Sequence, residues 1–277
     1  ESTNTLFWLD IAMPSKLLQY SFNKDIYKIY NMPEMITAIA ERSNNNILIA
    51  SHYGINNFNL TEEKFNQILK LEPNKPRNRC NDGAADFKGN FWIGTMQNNI
   101  AVDGSSIDIE ESSGSLYCID KDFNVQTHEI DIGISNTFAW SPNNEKFYFC
   151  DTLKGIINSY DYDFNNKKIL NKKEFAKFDR GYPDGSTVDA DGFLWNCRWG
   201  GSCVVRFDPN GNVDRVIELP VPNVTSCTFG GKDLKTLFIT TARIGMTDQE
   251  LHKAPLSGNL FALQTDVHGK PDFKFAN

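Results

Sequence analysis

Short apolar runs separated by turn residues recur along the whole chain. β-Branched and aromatic residues dominate each run, and Gly, Asn, Asp or Pro bounds it, which is typical of strands and turns. Stretches with helical periodicity are hard to find, so the pattern predicts an all-β fold. Six runs, about 40 to 55 residues apart, begin at Leu6, Asn46, Phe91, Lys146, Phe193 and Thr236.

A unit of ~40–50 residues with about four short strands is typical of a blade of a β-propeller. Six such units fit the 277 residues, whereas seven would be tight. A β-sandwich is the alternative, but it does not explain the recurring interval. We therefore predict one domain over residues 1–277, a six-bladed β-propeller whose last blade is closed by pairing early and late segments of the chain.

The longest interval between runs contains a polar stretch, residues 97–114. We interpret it as a loop inserted within a blade. Because loops carry function more often than the strands they connect, it could cover part of a site. It could equally be a solvated extension of a hairpin.

Composition narrows the classes of partner. The formal net charge is -7 and the pI about 5.2, which argues against nucleic acid, since binding phosphates needs a basic surface. No run approaches the roughly 20 apolar residues of a membrane span. The first residues show no basic segment followed by a long apolar one, so no signal peptide is predicted and a cytoplasmic location is expected.

The six cysteines are scattered, and no pair has the C-x-x-C spacing of a zinc or redox site. Three of them, Cys118, Cys150 and Cys197, lie inside apolar runs, where cysteine usually serves as a small buried apolar residue. The chain is also too large to need disulfide bonds for stability. We predict buried free thiols.

Three polar segments stand out, each in a different predicted blade. The first is NRCNDG, residues 78–83, with an arginine, two asparagines and an aspartate that are costly to bury unless they bind something. A plain turn is the alternative, because Asn-Asp-Gly closes turns readily.

The second and third segments contain Asn136 and Asp184. Asn136 lies before an apolar strand, where its amide could close an Asx turn or ligate a hard cation. Asp184 lies in Pro183-Asp184-Gly185, a strong turn signal, but it could also be a metal ligand and general base. The four histidines are widely spaced, so a Ser-His-Asp triad or a histidine zinc site fits poorly. Oxygen ligands suggest calcium, magnesium, manganese or a similarly adaptable ion.

These segments, in this order, resemble the gluconolactonase family that includes regucalcin (senescence marker protein) and bacterial sugar lactonases. The resemblance covers nearly the whole chain, and its last part is ELHKAPLSGNLFAL, residues 250–263. Four long motifs carry it: NRCNDGAADFKGNFWIGTM (78–96), GISNTFAWSPNNEKFYFCDT (133–152), YPDGSTVDADGFLWNCRWGGSCVVRFDPNG (182–211) and TSCTFGGKDLKTLFITTAR (225–243).

The resemblance implies a six-bladed propeller with one divalent cation at a central axial site. Asn136 and Asp184 would be metal ligands, with Asp184 also the general base. Arg79 and Asn81 would bind substrate, and Asn99 joins them as a candidate. The identity of the cation stays open among calcium, zinc, manganese, magnesium and iron.

Two departures from the family pattern bear on these roles. The family's remaining metal ligand is a glutamate in a G-E-x-P-x-W stretch, which is absent here. Either the chain begins a few residues late or that ligand is lost, and Glu1 is not assigned to the metal. Gln97-Asn98-Asn99 follows Gly94-Thr95-Met96, where some members carry acidic residues, which leaves the preferred lactone open.

The predicted function is metal-dependent hydrolysis of a sugar lactone to the sugar acid by a monomer or weak homo-oligomer. The cation would polarise the carbonyl, and Asp184 would take a proton from water. One alternative is a metal-binding or partner-binding propeller without catalysis. Another is a hydrolase of a different ester or lactone class, whose pocket should be more apolar than Arg79, Asn81 and Asn99 suggest.

Overall fold

The structure, a computed structural model, describes residues 4–276. Six antiparallel sheets account for the strands of this part of the chain, and each sheet takes its strands from one contiguous stretch of sequence. The prediction of an all-β chain is confirmed. Two compact units divide the chain, one of residues 4–135 with 272–276 and the other of residues 136–271. One domain over residues 1–277 stays a prediction.

The first unit holds three of the sheets, formed by strands that follow one another along the chain. Sheet 1 contains β1 (Thr5–Asp10), β2 (Lys16–Ser21) and β3 (Ile26–Asn31); sheet 2 contains β4 (Ile36–Glu41), β5 (Asn46–Ser51), β6 (Gly54–Asn59) and β7 (Lys64–Lys70); sheet 3 contains β8 (Asn78–Ala85), β9 (Phe91–Gln97), β10 (Gly114–Ile119) and β11 (Val125–Ile132).

The second unit holds the other three sheets, with a short 3₁₀ helix at Thr152–Lys154 and one α-helix, α1 (Asp248–Lys253). Sheet 4 contains β12 (Ser135–Trp140), β13 (Lys146–Asp151), β14 (Ile156–Asp163) and β15 (Lys168–Lys177); sheet 5 contains β16 (Tyr182–Val188), β17 (Leu194–Trp199), β18 (Cys203–Phe207) and β19 (Val213–Glu218); sheet 6 contains β20 (Val224–Gly230), β21 (Thr236–Thr241) and β22 (Phe261–Gln264).

The six apolar runs coincide with strands β1, β5, β9, β13, β17 and β21. In sheets 2 to 6 each run is the second strand, and it is the most apolar because it is covered on both faces. All seven residues of β9 are buried, whereas most of the fourth strand β7 is exposed. The recurring interval of the sequence is therefore the repeat of the sheets.

Buried apolar side chains form two clusters within each unit. All six cysteines are buried thiols outside any disulfide bond, which confirms the prediction. Burial raises the pKa of the Cys80 thiol to about 12, so this thiol stays protonated and behaves as an apolar side chain.

The first hairpins of sheets 3 and 5 are closed by the same device. Asp86 and Asp189 each accept hydrogen bonds at Oδ1 from the backbone N–H groups two and four residues further on. At Oδ2 they accept from a buried indole N–H, Trp92 Nε1 at 3.0 Å and Trp195 Nε1 at 2.9 Å. Each aspartate thus fixes a turn and satisfies the polar atom of a core tryptophan.

One expectation about the architecture is wrong for the described residues. No sheet joins an early strand to a late one, because every sheet is built of consecutive strands. The last segment of the chain instead crosses the first unit as irregular structure. There the N–H of Phe275 donates to the carbonyl of Glu41, and the N–H of Ala276 donates to the carbonyl of Gly89, each at 2.9 Å.

The long connection between β9 and β10 is mostly exposed, as expected for an insertion. Its only bridge among the described residues is a single pair, Ile100 with Ser106. Gln97, itself 2% exposed, anchors the connection, because its Oε1 accepts from the N–H groups of Glu110 and Glu111. The loop is therefore a solvent-exposed extension of the hairpin that is anchored by Gln97.

Candidate functional site

The predicted site residues occupy one position of the sheet repeat. Asn81, Asn136 and Asp184 lie in the first strands of sheets 3, 4 and 5. Each stands five residues before the residue that begins the following turn, Asp86, Ser141 or Asp189 respectively. Three segments that are unlike in sequence therefore place a polar side chain at equivalent points.

At this position the first strand departs from regular pairing. In β8 the register shifts between Cys80 and Gly83, and in β16 it shifts between Pro183 and Ser186. An extra residue in one strand is a β-bulge, which bends the strand and redirects a side chain. Both segments that read as plain turns in the sequence are thus bulges within strands, and the turn interpretation is wrong.

Sheet 4 has a backbone irregularity of a different kind next to the equivalent position. Thr137, directly after Asn136, has φ +62°, which is an outlier for a β-branched residue. Its hydroxyl compensates by donating to the carbonyl oxygen of Asp184 at 2.7 Å. Strain held by surrounding bonds is a frequent feature of functional sites.

In the first unit, Arg79, Asn81 and Asn99 form one hydrogen-bonded group. Arg79 is 4% exposed, and its guanidinium donates from Nη1 to Asn81 Oδ1 and from Nη2 to Asn99 Oδ1, both at 2.7 Å. Asn81 Nδ2 donates to the carbonyl of Ser135 at 2.8 Å. The structure thus brings the three predicted substrate-binding residues together.

Two ionisable side chains of the first unit that the sequence did not single out have shifted pKa values, and the first of them interacts with Arg79. His52 is at the end of β5, and its pKa is lowered by burial and then by the charge of Arg79. Glu34 precedes β4, and burial raises its pKa while a hydrogen bond with Ser51 opposes the shift. Burial thus favours the neutral form of both side chains.

In the second unit, Asn136 and Asp184 are brought together through threonine hydroxyls. Asn136 Nδ2 donates to Thr152 Oγ1 at 2.8 Å, and that hydroxyl donates to the carbonyl of Pro183, also at 2.8 Å. Thr137 makes the second link, to the carbonyl of Asp184. Because the amide nitrogen of Asn136 is the atom that faces Thr152, the amide oxygen of Asn136, Oδ1, is directed away from Thr152.

A buried arginine fixes the loop that leads into β16. Arg198 is 1% exposed and donates to the carbonyl oxygens of Phe178, Arg180 and Gly181 at 2.8, 3.1 and 2.7 Å. Its pKa is lowered by burial. Three carbonyl contacts hold the backbone just ahead of Asp184, a positioning role that the sequence did not reveal.

The charge of the Asp184 carboxylate affects the pKa of a neighbouring thiol, that of Cys197. The pKa of Cys197 is raised first by burial, then by Cys227, and also by the charge of Asp184. Asp184 itself is half-buried. A half-buried carboxylate at a bulge, near the buried thiol of Cys197, combines partial desolvation with access for a ligand.

The donors fit a hard divalent cation. The side-chain oxygens of Asn136 and Asp184 are of the kind that calcium, magnesium and manganese prefer. Within residues 4–276 no three His, Cys, Asp or Glu side chains are grouped to hold a metal, so a cation here would rely on neutral oxygens as well as Asp184. Glu1 lies outside the described residues.

A protein-family model for the SMP-30/Gluconolactonase/LRE-like region matches residues 1–243. The chain belongs to this family. Regucalcin of Sus scrofa is 29% identical over 280 residues, which cover 100% of this chain and 92% of the relative. A protein of Bacillus subtilis (strain 168) with the provisional name sugar lactone lactonase YvrE is 31% identical over 279 residues, with the same coverage.

Solved structures of family members superpose along almost the whole chain. Regucalcin of Agrobacterium tumefaciens, described as a calcium-binding protein, has a TM-score of 0.91 at 29% identity, covering 99% of this chain and 90% of its own. A luciferin-regenerating enzyme has a TM-score of 0.90 at 27% identity, covering 100% and 92%. The predicted six-bladed β-propeller is confirmed, whereas the central metal site and the residue roles stay predictions.

The described residues contain one α-helix of six residues, and none long and apolar enough to cross a lipid bilayer.

Proposed function

We propose that this protein hydrolyses a sugar lactone to the corresponding sugar acid. The observation that carries the proposal is that Thr137 and Thr152 tie together the strands that carry Asn136 and Asp184 in the second unit. Family membership supports the same activity class, since relatives of this chain are named as lactonases.

Hydrolysis of a lactone needs a polarised carbonyl and an activated water. A divalent cation held by Asn136 and Asp184 would supply both, as a Lewis acid and by lowering the pKa of a bound water toward roughly 7. Thr137 holds the backbone carbonyl of Asp184, and Arg198 holds that of Gly181 just before it, so this backbone would stay in place when cation and substrate bind. Pre-positioned groups of this kind lose little free energy to reorganisation during reaction.

Asp184 is the proposed general base. As water attacks the carbonyl carbon, the Asp184 carboxylate accepts one proton from it, and the acyl C–O bond of the ring then breaks. The same proton returns to the departing ring oxygen, so the carboxylate is regenerated. A positioned base typically contributes 10²–10⁴-fold to such a step.

Arg79, Asn81 and Asn99 are the proposed ligands of sugar hydroxyls. A guanidinium supplies donors only, and each amide supplies both a donor and an acceptor. Hydroxyl groups, which also donate and accept, match that mixture. An aliphatic acyl chain could neither donate to nor accept from these groups, so it would gain none of the hydrogen bonds that a sugar makes, each worth about 1 kcal/mol.

Binding of a cation without catalysis is the second candidate, because the Agrobacterium relative is described as calcium-binding. Both candidates are tested by following acid release from five- and six-carbon aldonolactones, before and after chelation and after return of calcium, magnesium, manganese, zinc or iron(II). Hydrolysis that disappears with the chelator and returns with a cation supports the enzyme. Cation binding by calorimetry without any acid release supports the second candidate. The preferred lactone, the cation, the cytoplasmic location and the oligomeric state stay predictions.

A further inference from the structure

The first strand of sheet 6, β20, carries a polar segment that the proposed mechanism does not use. It begins the motif TSCTFGG, residues 225–231. Like β8 and β16, this strand is irregular, because its pairing with β21 shifts between Val224 and Ser226. The bulge of sheet 6 thus repeats the feature that presents Asn81 and Asp184.

Ser226 lies against the residue that follows Asp184. A Cβ atom added to Gly185 would stand 2.5 Å from Ser226 Oγ and 2.8 Å from Ser226 Cβ. Real Cβ atoms do not approach other atoms so closely, so the side chain of Ser226 fills the space that a side chain at 185 would take. Glycine at 185 allows this approach, which places the hydroxyl one residue from Asp184.

The backbone of Ser226 is held, while its side chain is exposed. Thr225 Oγ1 and Thr240 Oγ1 share a hydrogen bond of 2.8 Å, and Thr240 Oγ1 also lies 3.3 Å from the Ser226 carbonyl. Within residues 4–276 the Ser226 hydroxyl has no hydrogen-bonding partner. A fixed hydroxyl that solvent can reach, against the residue that follows the proposed base, is available to a ligand.

We infer that Ser226 binds a hydroxyl group of the substrate beside Asp184 and thereby favours hydroxylated lactones over unsubstituted ones. This inference rests on the proposed function, since it assigns the ligand of Ser226 to the same reaction. Ser226 touches substrate but takes no proton, so its loss weakens recognition without removing the base. The contact is local to the second unit and depends only on Asp184, Gly185 and β20.

The test compares kcat/KM for a six-carbon aldonolactone and for a six-membered lactone that lacks hydroxyls, in wild type and Ser226→Ala. Loss of one hydrogen bond to substrate should lower the value for the sugar lactone about tenfold. The value for the plain lactone should change less than about twofold, since no partner is lost there. Ser159→Ala, on the third strand of sheet 4, is the matched control and should change neither.

Equal losses on both lactones, or none on either, overturn the inference while leaving the proposed function intact. A fall in Tm of more than about 3 °C together with equal losses would indicate a packing role, which also overturns it. A wild-type chain that hydrolyses neither lactone overturns the proposed function and the inference together. Selective loss on the sugar lactone with an unchanged Tm supports the contact.

Discussion

The first hairpins of sheets 3 and 5 are built on one plan but differ where chemistry is expected. Both have a bulge five residues before a turn aspartate, and in both that aspartate accepts from a core tryptophan. At the bulge, however, sheet 3 has the amide of Asn81 and sheet 5 the carboxylate of Asp184. The shared residues build the repeat, and the bulge is where the repeats differ in function.

The first hairpin of sheet 5 contains both a turn aspartate, Asp189, and the proposed general base, Asp184. A structural and a chemical role of aspartate can therefore be compared within one hairpin. Asp189 is 0% exposed, and Arg206 Nη2 donates to it at 2.7 Å in addition to Trp195. Its acceptors are occupied by the fold, so it cannot serve a substrate. Asp184 is half-buried at the bulge of β16, and its backbone carbonyl accepts from Thr137 and Asn196.

The largest effect is expected from Asp184→Asn, which gives the bulge of sheet 5 the same residue as the bulge of sheet 3. An amide cannot accept the proton from water, so kcat for a sugar lactone should fall about 10³-fold. Tm should change by less than about 2 °C, because asparagine keeps the shape of the side chain and the backbone carbonyl still accepts from Thr137 and Asn196. Activity and thermal melting are measured on the same preparation.

Asn81→Asp is the reciprocal control, and combined with Asp184→Asn it should not restore hydrolysis. Restoration would mean that any carboxylate at a bulge suffices. If Asp184→Asn alone kept wild-type turnover, Asp184 would be a structural residue and the proposed mechanism would be wrong.

The sequence alone was enough to predict the repeat. Apolar runs at intervals of about 40–55 residues predicted the second strands, because strands covered on both faces must be apolar. Such strands depend only on the residues within a short stretch of chain, so a single sequence is enough to predict them.

The bulges could not be predicted, because they are a property of pairing between strands. Asn81-Asp82-Gly83 and Pro183-Asp184-Gly185 carry strong turn signals, yet they lie within β8 and β16. One signal was present and overlooked, the constant distance of five residues from each candidate to the next turn residue. The contacts of Thr152 and Ser226 had no local signal, since their partners lie in other strands.

Replacing the turn aspartates should lower the free energy of unfolding by different amounts in the two hairpins, and should affect stability rather than activity. Asp189→Asn would turn an amide N–H₂ toward Trp195 and leave Arg206 without its buried carboxylate partner, a change that costs about 3–5 kcal/mol. At Asp86 the donors Trp92 Nε1 and Asn90 Nδ2 are neutral, and Asp86→Asn should cost about 1–3 kcal/mol. Urea unfolding gives both values.

Equal losses at the two positions would show that Arg206 contributes nothing beyond the turn bonds. The matched control is Asp208→Asn, since Asp208 closes an exposed turn through its own backbone bonds and should cost less than either.

A smaller effect is expected two residues before the bulge, where sheet 3 has Arg79 and sheet 5 has Tyr182. Arg79→Lys keeps the charge but loses the fork that reaches Asn81 and Asn99 together. The value of kcat/KM for a sugar lactone should fall about tenfold, and for an unsubstituted lactone only about twofold. Tyr182→Phe is the control, because Tyr182 occupies the equivalent position of sheet 5 and is exposed. Equal losses on the two substrates would show that Arg79 does not bind the sugar.

The smallest effect concerns the neighbours of the two core tryptophans. Trp195 packs edge-on against Phe229, with ring centroids 5.5 Å apart, whereas Trp92 lies 4.5 Å from the imidazole of His128. Burial lowers the pKa of His128 to about 4, and Glu129 opposes the shift only in part. Sheet 3 therefore has a titratable group where sheet 5 has an apolar ring, and the two hairpins should respond differently to acid.

The sign follows from the two protonation equilibria. Below its usual pKa of 6.5 the imidazole of the unfolded chain binds a proton, while the folded chain resists protonation until about pH 4. The unfolded state thus holds more protons across this window, so the free energy of unfolding falls as the pH drops from about 6.5 to 4. Because the ring is partly open to solvent, we expect about 1–2 kcal/mol rather than the full shift. His128→Phe should reduce the dependence by that amount in urea titrations at pH 7.0 and 4.5. His52, whose pKa is also lowered, contributes to both chains and cancels in the difference. An unchanged dependence in His128→Phe would show that the imidazole is protonated in the folded chain as readily as in the unfolded one.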